Sequence, residues 1–283
     1  MPDISAKDVA ALRKVSGAGM MDCKRALEES EGDLEKAKTW LREKGLAAAG
    51  KRAGRAAQQG AVDVFVDGAV GALAELTCET DFVAKGDGFK SAVVTLARQV
   101  AEQGEDIAGK PYAGDAAQTV EDFVKGLAGT LGENIALGRV ARFEVRDGLI
   151  EGYKHLQNDR GTIGVLVEIS GVDPSDPKAV EIGHDIALHI ASAAPRWVNR
   201  EDVPADVIEA ERAVLENLTR NEGKPEQAIP KIVEGRIGGF YKDNVLLEQG
   251  FVRDPKVAVG SLLSGLGTGA KVTRFTRVKV GEE

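Results

Sequence analysis

The chain has few of the residues from which metal sites and disulfide frameworks are built. It has 283 residues but only two cysteines and three histidines. So low a cysteine count, Cys23 and Cys78, indicates a reducing compartment instead of a disulfide framework. His184 and His189 lie about 140° apart around a helix that turns ~100° per residue, so they do not share a face for a metal. We therefore expect no metal site and no cofactor.

Long apolar runs are also missing. No run approaches the ~20 residues that a helix needs to cross a bilayer. The first five residues, Met-Pro-Asp-Ile-Ser, lack the basic region followed by an apolar one that marks a signal peptide. We expect a cytoplasmic protein that makes no contact with membranes.

Phosphate-binding loops and catalytic motifs are absent as well. The chain has no Gly-Lys-Ser/Thr loop, no Gly-x-Gly-x-x-Gly after a strand and no nucleophile elbow. The short run Gly17-Ala-Gly19 is better interpreted as a turn between helices. Asp and Glu total 45 against 37 Lys and Arg, a formal charge of −8, so nucleic-acid binding would need a local basic patch. The sequence predicts a protein without catalytic residues that works by contact, with no direct binding of nucleotide or nucleic acid.

The N-terminal part, residues 1–45, is predicted as a module of three helices. Ser5 with Asp8 is typical of a helix start, and Gly45 is placed just beyond the end of the third helix. Residues 46–60 are interpreted as a linker. Its basic side chains, Lys51, Arg52 and Arg55, could meet an acidic surface or RNA, but a solvated, partly helical tether is the simpler interpretation.

A weak internal repeat follows the linker. The run Gly71-Ala-Leu-Ala-Glu-Leu76 is similar to Gly164-Val-Leu-Val-Glu-Ile169, and each precedes an amphipathic helix. Asp67-Gly68 and Asp147-Gly148 are typical hairpin turns. The repeat predicts two related hairpin-plus-helix subdomains in the core, although a match this short leaves chance similarity as an alternative.

The last large unit is an antiparallel helical hairpin, which we call the arm. We expect the apolar faces of its helices to pack mainly on each other. The fold class is α+β, and the predicted division is a helical domain (1–45), a linker (46–60), a first core subdomain (61–145), the first part of a second (146–202), the arm (203–242), and the remainder of the second with a C-terminal strand (243–283).

One segment stands out between strand and helix. Thr80-Asp-Phe-Val83 follows a strand-like run, and a rigid scaffold can present such an aromatic as a binding anchor. The alternative is that Phe82 and Val83 fold back onto the core, where an aromatic gains its burial energy. The second copy has a plain turn here, Gly171-Val-Asp-Pro-Ser-Asp-Pro177, so the shared fold does not require the aromatic segment.

Several motifs resemble the elongation factor Ts family. Leu12-Arg-Lys-Val-Ser-Gly-Ala-Gly-Met-Met-Asp-Cys-Lys-Arg-Ala-Leu27 is similar to its N-terminal signature, and Cys78-Glu-Thr-Asp-Phe-Val-Ala-Lys85 to its second signature. Gly132-Glu-Asn-Ile135 and Val233-Glu-Gly-Arg236 resemble further segments. The resemblance extends over nearly the whole chain.

The resemblance implies a guanine-nucleotide exchange factor for the GTPase elongation factor Tu. Such a factor binds the GDP form, disturbs its magnesium site and promotes GDP release so that GTP can bind. The N-terminal helices would be a ubiquitin-associated-like domain. The segment implied to act on the magnesium site is Thr80, Asp81, Phe82 and Val83. The other implied partner contacts are Arg13, Met20, Met21, Lys24, Gly132 and His155.

An alternative function is a plain interaction protein that binds peptide or ribosomal RNA through its helical module and residues 44–55. Phosphate contacts would make such RNA binding steeply salt-dependent. The acidic balance of the chain disfavours RNA.

Overall fold

A computed structural model describes residues 4–16, 18–50, 52 and 54–282, the side chains of residues 46–49 excepted. Helices and strands are mixed along the chain, which confirms the α+β class. The helices are α1 (Ala6–Ser16), α2 (Met20–Glu29), α3 (Leu34–Gly50), α4 (Asp81–Ala84), α5 (Asp87–Gln103), α6 (Val120–Leu131), α7 (Pro177–Ala193), α8 (Ala205–Asn221), α9 (Ile229–Asn244) and α10 (Val259–Ser264). The strands are β1 (Gln59–Asp67), β2 (Val70–Cys78), β3 (Pro111–Tyr112), β4 (Asp115–Thr119), β5 (Ala136–Glu144), β6 (Gly148–Gln157), β7 (Arg160–Ser170), β8 (Gly250–Phe251), β9 (Asp254–Ala258) and β10 (Lys271–Lys279).

The first three helices enclose a small apolar core. Leu12, Cys23 and Leu27 are fully buried there, and Trp40 packs at the edge. The predicted start of α1 is present, since the Ser5 hydroxyl oxygen accepts the N–H of Asp8 and its O–H donates to the Asp8 carboxylate. Gly17 of the predicted turn and Lys51 of the predicted linker lie outside the described residues.

Helix α3 is longer than predicted and packs against α6. It continues to Gly50, so Gly45 is not the helix end that the sequence suggested. Gly45 instead meets Gly129 of α6, where an added Cβ on Gly129 would lie 2.4 Å from the Gly45 Cα. Without side chains at these two positions, the helix backbones come into contact. The helical module therefore sits directly on α6, and the first residues after position 45 are helix and not a free linker.

Two three-stranded antiparallel sheets form the centre, with strand orders β1-β2-β5 and β6-β7-β10. The element order is also repeated. Apart from α4 in the first copy and α8 with α9 in the second, each copy has a hairpin, a long helix, a short hairpin, a helix and a strand. The first copy is β1-β2-α5-β3-β4-α6-β5 and the second is β6-β7-α7-β8-β9-α10-β10. Gly60 opposite Thr77 and Gly148 opposite Ser170 occupy matching places, and each lies too close to the facing strand for a Cβ.

The two sheets pack face to face through β1. Val62 and Val64 lie against Gly152 and Gly164, where an added Cβ would approach a valine methyl to 2.7–2.8 Å. On the opposite face of β1, Phe65 packs against the cluster that α5 covers. Because β1 is enclosed on both sides, its valines and its aromatic residue are covered by different neighbours.

The arm consists of α8 and α9, which come between α7 and β8 in the sequence. Leu215 packs on Ile229, Val233 and Ile237, but Val214 and the neighbouring Leu218 point to solvent. Part of the apolar face of α8 is therefore not covered by α9.

The base of the arm is closed by backbone hydrogen bonds. The N–H of Arg196 donates to the Asn244 carbonyl and the N–H of Leu246 to the Trp197 carbonyl, each at 2.8 Å. The chain thus enters and leaves the arm at adjacent points. Among the described residues, none of the helices combines the length and apolar character that a bilayer crossing requires.

Candidate partner-binding site

The segment that the sequence singles out forms a single helical turn, α4, and not a loop. Thr80 is extended and caps the turn, its hydroxyl oxygen accepting the Val83 N–H at 3.3 Å. The N–H groups of Ala84 and Lys85 donate to the carbonyls of Thr80 and Asp81. So short a turn lacks the repeating pattern by which helices are recognised in sequence, but its capping threonine was a usable signal.

Phe82 points away from the core on this turn. Its side chain is 84% exposed, whereas Ala84 is buried and Val83 packs partly against the cluster under α5. The core-cap alternative is therefore wrong for Phe82 and right in part for Val83. A large exposed aromatic on a short, capped turn is suited to enter a pocket of another protein.

Asp81 forms an ion pair on the same turn. The Lys85 ammonium lies 2.5 Å from its Oδ2. The hydrogen bond and charge of Lys85 hold the pKa of the Asp81 carboxyl below its usual value. Asp81 is therefore ionised at neutral pH, and its charge lies beside the exposed Phe82 ring.

A glutamate holds the base of α4 from the far side. Gly132 ends α6 in a left-handed conformation, with φ of +76°, and turns the chain toward α4. The next residue, Glu133, accepts the backbone N–H groups of Glu79 and Thr80 at 3.0 Å each and also the Thr80 hydroxyl. We call this arrangement the clamp. Sequence reasoning named Gly132 alone, although the acidic residue beside it was visible.

Asn134 extends the clamp to the residues that precede β1. Its N–H donates to the Glu79 carboxylate at 2.7 Å, and its amide group donates to the Arg55 carbonyl at 2.7 Å. The Arg55 guanidinium lies 3.5 Å from the same Glu79 carboxylate. Three segments far apart in sequence thus meet beneath α4.

Cys78 is buried at the end of β2, directly before the residues that the clamp holds, and its thiol is not suited to act as a nucleophile. Its thiol donates to the Thr80 carbonyl at 3.1 Å. Burial, with the negative charge of Glu133 nearby, raises the pKa of the Cys78 thiol to about 12. The group stays protonated at physiological pH and supports the strand end.

His155 lies on β6 near the tip of the β6–β7 hairpin and is exposed. Its Nδ1 is 3.3 Å from the Tyr153 hydroxyl. The tip is tied to the first residues of α5, since the Lys90 ammonium lies 2.6 Å from the Asp159 carboxylate. The hairpin that carries His155 is therefore tied at its tip to α5, the helix that follows α4 after a short turn.

The N-terminal candidates form their own patch on α1 and α2. Met20 and Met21 are 58% and 74% exposed at the start of α2, and the nearby Val15 is exposed too. Arg13 and Lys24 are exposed on the same helices. Exposed apolar side chains together with cations are typical of a protein-binding surface.

Within the described ranges, no group of three His, Cys, Asp or Glu side chains could hold a metal ion.

Comparison with known proteins gives one consistent result. The family described as Elongation factor TS matches residues 79–282. A protein named elongation factor Ts from Micrococcus luteus is 44% identical over 99% of this chain and 100% of its own length. Proteins of the same name from Streptomyces avermitilis (46% identical, 99% of this chain, 100% of the relative) and Rhodospirillum rubrum (42%, 100%, 94%) are also similar. The matches to these three relatives include the N-terminal helices as well as the sheets.

Proposed function

Since the chain belongs to the elongation factor Ts family, we propose that it is a guanine-nucleotide exchange factor in translation elongation. Its partner is the GTPase elongation factor Tu in the GDP form, from which it promotes GDP release so that GTP can bind. The observation that carries this function is Phe82, 84% exposed on a capped turn that Glu133 holds from below. So exposed an aromatic ring contributes little burial energy to the folded chain alone.

The physical basis of exchange is a linkage between two binding equilibria. A factor that binds the empty GTPase more tightly than the GDP form must weaken GDP binding by the same ratio. Magnesium neutralises the phosphate charge of the nucleotide, so displacing its ligands loosens GDP without any contact with GDP itself. This mechanism needs no catalytic acid or base, and we infer that the protein is not an enzyme.

We infer a different role for each residue of the Thr80–Val83 segment. Phe82 enters an apolar pocket of the GTPase and deforms its magnesium site. Asp81 presents a negative charge beside that pocket. Val83, packed partly on the core, supports the turn from below, and Thr80 caps it.

A second contact is supported by the patch on α1 and α2. We infer that Met20 and Met21 dock on the GTPase, with Arg13 and Lys24 at the rim. The three helices are proposed as a ubiquitin-associated-like domain. Because α3 continues to Gly50, the domain ends there and not at residue 45. Gly132 and His155 are inferred to be further contacts, since Gly132 adjoins Glu133 of the clamp and the hairpin of His155 is tied to α5.

The remaining architecture is proposed from the repeated element order. Each three-stranded sheet with its helices is one core subdomain, and α8 with α9 is the arm. We infer a cytoplasmic protein that binds neither nucleotide nor nucleic acid directly. The alternative of RNA binding through residues 44–55 is disfavoured, because the Arg55 side chain lies 3.5 Å from the Glu79 carboxylate.

The test is the release of fluorescent GDP from purified elongation factor Tu. With this chain present at micromolar concentration, release should accelerate by orders of magnitude and saturate with concentration. The Phe82→Ala variant at equal concentration is the matched control. If release is equally slow with and without the parent chain, the proposed function is wrong.

A further inference from the structure

We propose that Glu133 is a positioning residue for nucleotide exchange, because its carboxylate fixes the orientation of α4 and of the Phe82 ring. This inference rests on the proposed exchange function. The hydrogen bonds described for the Glu133 side chain end at Glu79 and Thr80, the two residues before α4, and do not reach α4 itself. Its effect on exchange passes through Thr80.

Three donors converge on the one carboxylate. The N–H groups of Glu79 and Thr80 each lie 3.0 Å from Oε2, and the Thr80 hydroxyl donates to Oε1. Hydrogen bonds to an ionised acceptor are roughly twice as strong as neutral ones. The two residues just before α4 are therefore held at both the backbone and the side chain.

Thr80 transmits this constraint to the turn. A hydroxyl has a single hydrogen, and here it points at Glu133. The lone pairs are left for the Val83 N–H, which the same oxygen accepts at 3.3 Å. Without the carboxylate, the hydroxyl hydrogen is free to rotate and can no longer favour the capping geometry.

The turn cannot hold this orientation by itself. A helix of one turn has too few hydrogen bonds to repay the entropy of its nucleation. Ala84 and Val83 fasten one side of α4 to the core, but Phe82 is 84% exposed and belongs to no apolar cluster of the described residues. The direction of the ring is thus set by the cap and by the residues that Glu133 holds.

Orientation and stability should respond differently to the loss of Glu133. The side chain is half-buried and adds no apolar packing to the core. An aromatic that is already aimed at its pocket avoids the ordering cost at the moment of binding. Loss of the clamp should therefore lower the maximal exchange rate more than the fraction of folded protein.

The experiment compares Glu133→Ala and Glu133→Gln with Glu121→Ala. Glu121 is an exposed carboxylate on α6 whose one side-chain partner among the described residues is Lys125, so it controls for loss of charge on that helix. Stopped-flow release of fluorescent GDP from elongation factor Tu, measured over a range of factor concentrations, gives a maximal rate and a half-saturating concentration. Melting temperatures are measured on the same samples.

We expect Glu133→Ala to lower the maximal rate at least about tenfold while the half-saturating concentration changes less than about threefold. Glu133→Gln should be intermediate, since its amide keeps one acceptor oxygen but turns an NH₂ toward a donor. Glu121→Ala should have the same maximal rate and half-saturating concentration as the parent chain. Amide hydrogen exchange at residues 81–85 should quicken in Glu133→Ala and not in Glu121→Ala.

An unchanged maximal rate in Glu133→Ala overturns the proposal. So does a loss seen only in the half-saturating concentration, or a lower melting temperature with full activity per folded molecule. Unaltered amide protection of residues 81–85 also contradicts it. If the parent chain does not accelerate GDP release from elongation factor Tu, the proposed function is refuted instead. In that case the amide exchange data still decide whether Glu133 orders α4.

Discussion

Glu75 and Arg139 form a two-point ion pair between β2 and β5, with Nε 3.0 Å from Oε2 and Nη2 3.1 Å from Oε1. The pair sits beside an irregularity in the strand register, and Arg139 also donates to the Lys279 carbonyl of β10. The second sheet repeats this arrangement, since Arg274 binds Glu168 at 2.8 Å beside the irregularity in β10. Each sheet thus has a glutamate that secures its third strand.

Replacing Glu75 by alanine should destabilise the protein. The Glu75 side chain is 4% exposed and that of Arg139 39% exposed, so the change strands a partly buried cation. We expect a loss of ~2–3 kcal/mol in the free energy of unfolding, toward the low end for breaking a buried pair because Arg139 keeps some water. Urea denaturation measures the loss. Glu121→Ala should cost less than ~0.5 kcal/mol, and an equal cost for both variants would contradict the expectation.

Replacing Phe82 by alanine should affect exchange and leave stability intact. The ring is 84% exposed in the chain and is proposed to be covered only in the complex, so its loss should slow GDP release at least about tenfold, or ~1.4 kcal/mol. The buried Phe89, 1% exposed, is the matched control, and Phe89→Ala should cost ~3–5 kcal/mol of stability. Thermal melting and stopped-flow release on the same preparations separate the two effects. A large drop in the melting temperature of Phe82→Ala would contradict the exposed position of its ring.

Two glycines of α6 should respond in opposite directions to the same substitution. A Cβ at Gly129 would lie 2.4 Å from the Gly45 backbone, so Gly129→Ala should cost ~1–3 kcal/mol or separate α3 from α6. A Cβ at Gly126 meets nothing within 4 Å, so Gly126→Ala should stabilise the helix by ~0.5–1 kcal/mol. Melting temperatures report both. Similar shifts in the two variants would show that α3 and α6 do not touch in solution.

Acid should destabilise the protein in part through His189. Burial lowers the pKa of this imidazole, which bonds Gln249 through Nε2 and accepts the Val252 N–H at Nδ1. Below pH ~6.5 the unfolded chain takes up a proton that the folded chain resists, so stability is lost as pH falls through that value. Urea midpoints at pH about 7.5 and about 5.5 measure the slope. His189→Gln, which cannot titrate, should show a shallower slope than the parent, and an equal slope would exclude His189 as a source.

Local signals predicted much of what positions the site. The Asp67-Gly68 turn predicted the β1–β2 hairpin, and α5 and α7 are the amphipathic helices predicted to follow the two copies of the repeat. The outward position of Phe82 was one of two interpretations that the sequence left open, and the lack of an aromatic in the second copy favoured it. These features depend on neighbours in the chain, which is the information that a single sequence contains.

Contacts between distant segments were not predictable in the same way. Glu133 meets Thr80 across 53 positions, and no pattern in either segment names the other. Gly45 has two physical uses, since a glycine both ends helices and lets two helices touch, and only its partner Gly129 decides between them. The clamp and the seat of the helical module therefore became visible only in three dimensions.

The closed base of the arm makes it topologically an insertion. Its two ends are already joined by the hydrogen bonds of Arg196 with Asn244 and of Trp197 with Leu246. Lengthening α8 and α9 by equal numbers of residues leaves that closure, and hence every strand register, as it is. The reach of the arm can therefore change while both sheets and α4 stay in place.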